Sequence, residues 1–213
     1  MASTTYNTET ELSSVNSILG AIGQSPVSSL YRKDASNELV FLNPEISFVY
    51  QILQEVCLDV QNEGWVFNRE NGYQLTPDSN NEFIVPANVL RMDVSEGQIR
   101  RLVDTVIRDG KIYDKIKHTY KFDGPLRFDI VWKFPYEELP SAFQRYITLK
   151  ASVRAATQLV SNPGLTELLS QQLVESRVAV VEYDTDQGDY SWFGTPPGTA
   201  YAPFQPWHTL ARY

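Results

Sequence analysis

Residues with the functional groups for acid–base or metal chemistry are few in this sequence, and their spacing does not suit such chemistry. The two histidines, His118 and His208, are far apart, and neither has metal-ligand spacing to the single cysteine, Cys57. Glu137 and Glu138 are neighbours, whereas carboxylates that flank one glycosidic bond rarely come from adjacent positions. The sequence also contains no phosphate-binding loop, dinucleotide fingerprint or nucleophile elbow. We therefore predict no catalytic residue, no cofactor and no metal ion.

One acidic segment has a weak similarity to a calcium-binding loop. Asp184, Asp186 and Asp189 are spaced among polar residues, as the ligands of such a loop are. Gly188, however, falls one position early, and Thr195 stands where the loop needs a glutamate. The segment is better interpreted as a solvated helix end followed by a turn.

Basic residues are concentrated around a predicted β-hairpin. Asp109 and Gly110 form a dipeptide typical of a type I′ turn, between two short apolar runs at 105–107 and 111–113. The basic residues of this region are Arg100, Arg101, Arg108, Lys111, Lys115 and Lys117. They are candidates for contact with an acidic partner or with DNA, although exposed strand edges also carry lysines that prevent aggregation. We favour a partner contact or a solvated edge over DNA.

The C-terminal segment, residues 188–213, combines four prolines with seven aromatic residues. Prolines at this density exclude a long helix or a central strand, and disordered linkers are poor in aromatic residues. We predict an extended arm that docks its rings on its own domain, on an identical neighbour or on a partner. The candidate docking residues are Tyr201, Phe204, Trp207, Arg212 and Tyr213.

Helical periodicity occupies both sides of a central β-rich region. We predict a first helix from Thr8, with Glu11 completing a capping box, and a second helix from Asn43 to Gly64. A third helix starts at Pro140, and a fourth runs from Asn162 to about residue 183. The segment 24–42 is predicted to be a connector.

Residues 64–135 are predicted to be mostly strands. The segments 64–68, 73–77, 82–86 and 89–93 have strand patterns, and apolar residues alternate strictly with others from Leu126 to Phe134. Trp65 follows the predicted end of the second helix and is interpreted as a structural anchor. The predicted fold is α+β: a four-helix bundle from residues 1–63 and 136–187, an inserted antiparallel β module at 64–135, and an extended arm at 188–213.

Composition is that of a globular protein. Of the 213 residues, 42% are hydrophobic, and the net charge of −8 argues against tight nonspecific binding of duplex DNA by the whole surface. A lone cysteine excludes an internal disulfide, no apolar run approaches membrane-spanning length, and residues 1–8 have no secretory signal pattern. We expect synthesis in the cytosol and no membrane contact.

Three ordered groups of residues carry a resemblance to a known family. They are Glu11 to Leu19 with Ile22, Gly23, Pro26, Val27 and Leu30; Gly64 to Asn68 with Leu75, Pro77, Ile84, Val85, Pro86, Leu90 and Asp93; and Tyr136 to Pro140 with Phe143, Lys150 and Ala151. In this order, up to about residue 190, the chain resembles the tail tubular protein A family. Its members are the head-to-tail adaptors of short-tailed phages, the podoviruses.

The resemblance implies a structural virion protein at the junction of head and tail. Members of the family form a ring of twelve copies between the portal and the tail nozzle, which is tail tubular protein B. The ring helps to retain the genome, lets DNA pass through its lumen during ejection without sequence-specific binding, and helps to seat the tail fibres. We expect the same partners for this chain, after its synthesis in the host cytoplasm.

Two functions of other classes remain as alternatives. Some tail tubular proteins have been credited with peptidoglycan hydrolysis, although the residues of this sequence add no support for it. A DNA-binding protein that uses the basic hairpin is the second alternative. A zymogram would test the first alternative, and salt-dependent binding to duplex DNA would test the second.

Overall fold

The computed structural model describes residues 10–33, 39–95 and 103–188, which form four α-helices and antiparallel strands. The helices are α1 (Glu11–Ala21), α2 (Pro44–Asn62), α3 (Ser141–Ala155) and α4 (Pro163–Gly188). The strands are β1 (Tyr31–Lys33), β2 (Leu39–Phe41), β3 (Arg69–Leu75), β4 (Val89–Val94), β5 (Thr105–Arg108), β6 (Lys111–Asp114) and β7 (Leu126–Trp132). The predicted α+β class is therefore confirmed.

The described residues divide into two compact units. The first unit comprises residues 10–33, 39–60 and 134–183, and it contains α1, β1, β2, α3 and most of α2 and α4. The second comprises residues 61–95, 103–133 and 184–188, and it contains β3 to β7. The first unit is thus built from chain segments that lie on both sides of the second in sequence.

The start of α1 differs in its cap from the prediction. Thr10 is the N-cap residue, and its hydroxyl accepts a hydrogen bond of 3.2 Å from the backbone N–H of Ser13. The predicted cap, Thr8, lies outside the described residues. Glu11, which was expected to complete a capping box, instead accepts a hydrogen bond from the Tyr50 hydroxyl at 3.1 Å.

The helix α2 begins and ends close to the predicted positions. Pro44 is its first residue, and the carbonyl of Asn43 accepts a hydrogen bond from the N–H of Ser47 at 3.1 Å. Gly64, two residues after the last helical residue, has φ of +79°, the left-handed conformation that ends helices. The apolar stripe of α2 is buried, through Ile46, Val49, Ile52, Leu53, Val56, Cys57 and Val60.

The helices α3 and α4 are joined by a π-helical turn at Ala156–Val160. Asn162 then caps α4, because its side-chain oxygen accepts hydrogen bonds from the N–H groups of Gly164 and Leu165. The predicted cap is confirmed. The helix continues to Gly188, five residues beyond the predicted end, so the weak calcium-loop pattern starts inside a helix.

A polar network is buried in the first unit, where α1 and α3 contact each other. The Tyr136 hydroxyl lies 2.7 Å from Ser14 Oγ and 2.9 Å from Thr148 Oγ1. It also donates to the carbonyl of Gln144 at 3.0 Å. All four residues are buried, so these bonds satisfy polar groups that would otherwise destabilise the core. The buried apolar residues of α1 and α3 include Val15, Ile18, Phe143, Ile147 and Ala151.

The main sheet of the second unit has the order β3-β7-β4, with β7 in the centre. The predicted inward face of β7 is confirmed, because Phe128 and Ile130 are fully buried and Leu126 and Trp132 pack against the same core. Val131 on the other face is also buried, so the alternation is not strict. That core also contains Phe83, Met92, Val94, Ile112 and Phe122. A bulge in β3 is held by Asp129, whose carboxylate accepts a hydrogen bond from Gly72 N–H at 2.9 Å.

Three strand predictions need correction. Residues 64–68 form a turn rather than a strand, because Asn68 and Arg69 donate backbone hydrogen bonds to the carbonyl of Trp65. The segment 82–86 makes isolated bridges from Glu82 and Ile84 instead of a continuous ladder. The predicted connector 24–42 contains the short antiparallel pair β1–β2. Each segment has few residues, so its conformation depends on distant partners more than on its own pattern.

Candidate interaction surfaces

The titratable residues singled out in the sequence lie at separate places in the described part of the chain. None of its histidine, cysteine and acidic side chains form a group of three that could hold a metal ion. Glu137 and Glu138 are exposed side by side on a short 3-10 turn, Tyr136–Glu138. His118 has φ of +53° in an exposed turn, with its Nδ1 3.5 Å from the Tyr113 hydroxyl. His208 lies outside the described residues.

A shallow cleft of about 650 Å³ lies at the junction of α3 and α4. Several of its hydroxyl groups already donate to helix carbonyls: Thr157 to Val153 at 2.8 Å, and Ser170 to Thr166 at 2.7 Å. Glu167 is the one carboxylate among the described residues that line it. A hydrolase of the glycosidase type needs a pair of carboxylates around the scissile bond, and this lining does not provide one.

The basic hairpin has the predicted turn. Asp109 and Gly110 both have positive φ, of 51° and 70°, as a type I′ turn requires. The register places Arg108 directly opposite Lys111. Two like charges at such a pair repel each other, so each needs a local partner.

Acidic and aromatic side chains provide these partners. Lys111 Nζ lies 2.5 Å from a carboxylate oxygen of Glu82, and this hydrogen bond, with the charge of Glu82, raises the pKa of Lys111 above its usual value. The Arg108 guanidinium lies 4.3 Å from the centre of the Tyr113 ring. Lys115 pairs with Asp104 at 2.7 Å. These three basic groups therefore have partners within the second unit, which weakens the hairpin as a surface for phosphates.

The remaining basic candidates are not assembled with these three in the described structure. Lys117 is exposed in the turn after β6. Arg100 and Arg101 lie outside the described residues. A role of the hairpin in contacting a partner stays a prediction.

Trp65 is buried in the turn that follows Gly64. Its backbone N–H donates to the side-chain oxygen of Asn68 at 2.9 Å. The Asn68 amide in turn donates to the carbonyls of Gln61 and Trp132, at 2.9 and 3.0 Å. Asn68 thus connects the last turn of α2 to β7, and the burial of Trp65 supports the anchoring role that we predict for it.

An exposed apolar row of the first unit lies on α4, and the sequence analysis did not identify it. Val174, Val178 and Val181 are 64%, 62% and 46% exposed, and their spacing of four and three residues places them on one face of the helix. Few residues of this long helix are buried; they are Leu169, Ser176 and Val180. The signal was available in the sequence as the spacing of these three valines, which repeats at helical intervals.

The residues of the predicted docking arm, which are Tyr201, Phe204, Trp207, Arg212 and Tyr213, lie outside the described residues. Its role stays a prediction.

Among the residues that the structure describes, no helix combines the length and the apolar character needed to cross a membrane.

Comparison with known proteins assigns the chain to a family. The family model described as "Tube: Tail tubular protein" matches residues 12–190, which include all of α1 but its first residue, α2 to α4 and the seven described strands. None of the curated proteins compared with the chain matches it. The family is one of structural proteins of the phage tail, which assemble with other tail proteins in the virion. By this match the chain belongs to the tail tubular protein family.

Proposed function

We propose that this chain is the head-to-tail adaptor of a short-tailed phage. Copies of it form a ring, of twelve subunits by the resemblance, which joins the portal to the tail nozzle. The ring retains the packaged genome, conducts DNA during ejection and helps to seat the tail fibres. The observation that carries this proposal is the family match over residues 12–190, most of the 213-residue chain.

The described surfaces support an assembly protein rather than an enzyme. A ring requires two different faces on each subunit, because each copy meets one neighbour on either side. The valine face of α4 and the basic hairpin of β5 and β6 are distinct surfaces, and each belongs to its own compact unit. In this proposal the helices form the bundle that builds the ring, and the inserted β module contacts other tail components.

Assembly on the portal tests the proposal. The full chain, mixed with the portal protein of the same phage, is expected to add a ring of density at one end of the portal in electron micrographs. Subsequent addition of the nozzle protein should extend this ring rather than bind the portal directly. A bovine serum albumin mixture at equal mass serves as the control. Particles without additional density, at concentrations where the chain is in excess, would contradict the proposal.

A further inference from the structure

The outer face of α4 has the properties of a docking site. Val174 and Val178 expose more than three-fifths of their surface, and Val181 nearly half, on a helix whose other face is packed in its unit. These three residues span seven positions, or about 10 Å of helix. An exposed row of β-branched apolar residues costs solubility unless another surface covers it, so it indicates an interface.

Acidic residues border this row. Glu167 lies two turns before Val174 on the same line, and Glu175 and Glu182 lie three residues before and four residues after Val178. All three glutamates are exposed. On the opposite edge, the Arg177 guanidinium lies 5.3 Å from the centre of the Tyr146 ring, within the unit. The face therefore suits an apolar partner with no negative charge.

The chain contains a segment with this composition. Residues 190–213 contain no aspartate or glutamate, one arginine and seven aromatic residues. Aromatic rings and arginine are the side chains that contribute most to protein interfaces. The arm is thus complementary to the α4 face in both apolarity and charge.

The length of the arm favours a neighbouring copy over the helix from which it emerges. Phe204 follows Gly188 by sixteen residues, which span about 50 Å in the extended form that prolines favour. The whole of α4 is only about 39 Å long, and Val178 is about 15 Å from its end. In this extended form the arm is long enough for Phe204 and Trp207 to reach the valine row of a neighbouring copy.

We propose that the valine face of α4 is the acceptor for the C-terminal arm of a second copy of this chain. One copy inserts Phe204 and Trp207 against Val174 and Val178 of the next, and its own α4 receives the arm of the previous copy. The inference rests on the proposed ring, and it identifies one of the two faces that a ring contact needs. Because donor and acceptor surfaces differ, the contact repeats from copy to copy instead of closing as a symmetric pair.

Self-association of the full chain tests this contact. Sedimentation velocity over a rising concentration series should show association of the wild-type chain. Val178→Asp and Trp207→Ala should each lower the association constant at least about tenfold. Leu168→Asp is the matched control, because Leu168 is 61% exposed on the same helix but lies about a third of a turn away from the row. The Leu168→Asp substitution should change the association constant by no more than about twofold.

Mixing two defective chains tests whether the arm acts on another copy. A chain without residues 201–213 keeps its acceptor face, and a Val178→Asp chain keeps its arm. Each alone should be monomeric, and an equimolar mixture should contain one-to-one pairs. A mixture that stays monomeric, a wild-type chain that never associates, or a Val178→Asp chain that associates like wild type would each overturn the inference.

These outcomes are separable from those of the adaptor proposal. If wild-type and Val178→Asp chains form equal rings on the portal, the arm contact is wrong and the adaptor role stands. If association depends on Val178 and Trp207 but no ring forms on the portal, the adaptor role is wrong.

Discussion

At the scale of single residues, a few side chains connect segments that are far apart in sequence. Asn68 is 1% exposed, and its side chain bonds to the backbone of Gln61, Trp65 and Trp132. Trp65 contributes the large buried apolar side chain of the same turn. Glu82 acts in the same way at the hairpin, where it binds Lys111 from 29 residues away.

Replacement of Trp65 by alanine should destabilise the fold strongly. Removal of a buried tryptophan side chain leaves a cavity, and such changes cost about 3–5 kcal/mol in well-packed cores. Denaturant unfolding followed by circular dichroism would measure the loss. Trp65→Phe, which retains most of the apolar volume, is the control and should lose much less. A Trp65→Ala chain that unfolds like wild type but fails in assembly would mean that Trp65 serves a partner.

Replacement of Glu82 by glutamine should lower the pKa of Lys111 toward its usual 10.5. The raised pKa in the folded state means that the pair stabilises the fold below pH 10.5, and that this contribution disappears as the pH rises through the raised value. The ammonium is solvent-exposed, so the effect on stability is small and the titration is the better measurement.

Nuclear magnetic resonance of the lysine side-chain nitrogens would follow this titration. Glu70→Gln is the control, because the Glu70 carboxylate binds the indole of Trp132 instead of a lysine. It should leave the Lys111 titration unchanged. An identical Lys111 midpoint in wild type and Glu82→Gln would show that the pair does not persist in solution.

At the scale of elements, the ends of helices depend on backbone conformations that only some residues adopt. Gly64 has φ of +79°, and a Cβ atom there would lie 3.3 Å from a Val131 methyl group and 2.9 Å from the Arg91 guanidinium. Gly20, inside α1, has open space around it and an ordinary helical conformation. The same substitution should therefore have opposite effects at the two sites.

Gly64→Ala should destabilise the protein by about 1–2 kcal/mol, the cost of a left-handed conformation for a residue with a Cβ atom. Gly20→Ala should stabilise it by up to about 1 kcal/mol, because alanine loses less entropy in a helix. Thermal and denaturant unfolding of both variants would measure the two changes. If both variants shift in the same direction, backbone conformation does not control these positions.

At the scale of the whole molecule, the question is whether the arm contributes to folding or to assembly. Among the described residues, the buried apolar side chains come from positions 15 to 180, well before the arm. Deletion of residues 201–213 should therefore leave the circular dichroism spectrum and the melting temperature nearly unchanged, while it abolishes assembly on the portal. Trp207→Ala should reproduce much of the assembly defect, since interface tryptophans often dominate binding energy.

Unfolding of the truncated chain would instead place the arm on its own domain. Undiminished portal assembly would assign docking to the helices or to the basic hairpin. A deletion of residues 1–9 provides a control for the effect of simple chain shortening.

Local patterns in the sequence determined much of this protein. The α+β class, the start of α2 at Pro44, its stop at Gly64, the cap at Asn162, the type I′ turn at Asp109 and the inward face of β7 were all readable, because each depends on a few neighbouring residues. The family resemblance was also readable, since it depends on residue identity and order.

Tertiary structure alone decided which surfaces are covered. Helical periodicity predicted α4 itself, but only packing within the first unit showed that Val174 and Val178 are exposed. The sequence suggested that the basic residues of the hairpin were available to bind a partner. In the structure, however, Lys111 pairs with Glu82 and Lys115 pairs with Asp104. In both cases the physical reason is the same: burial and ion pairing depend on residues that are remote in sequence and are brought close only when the chain folds.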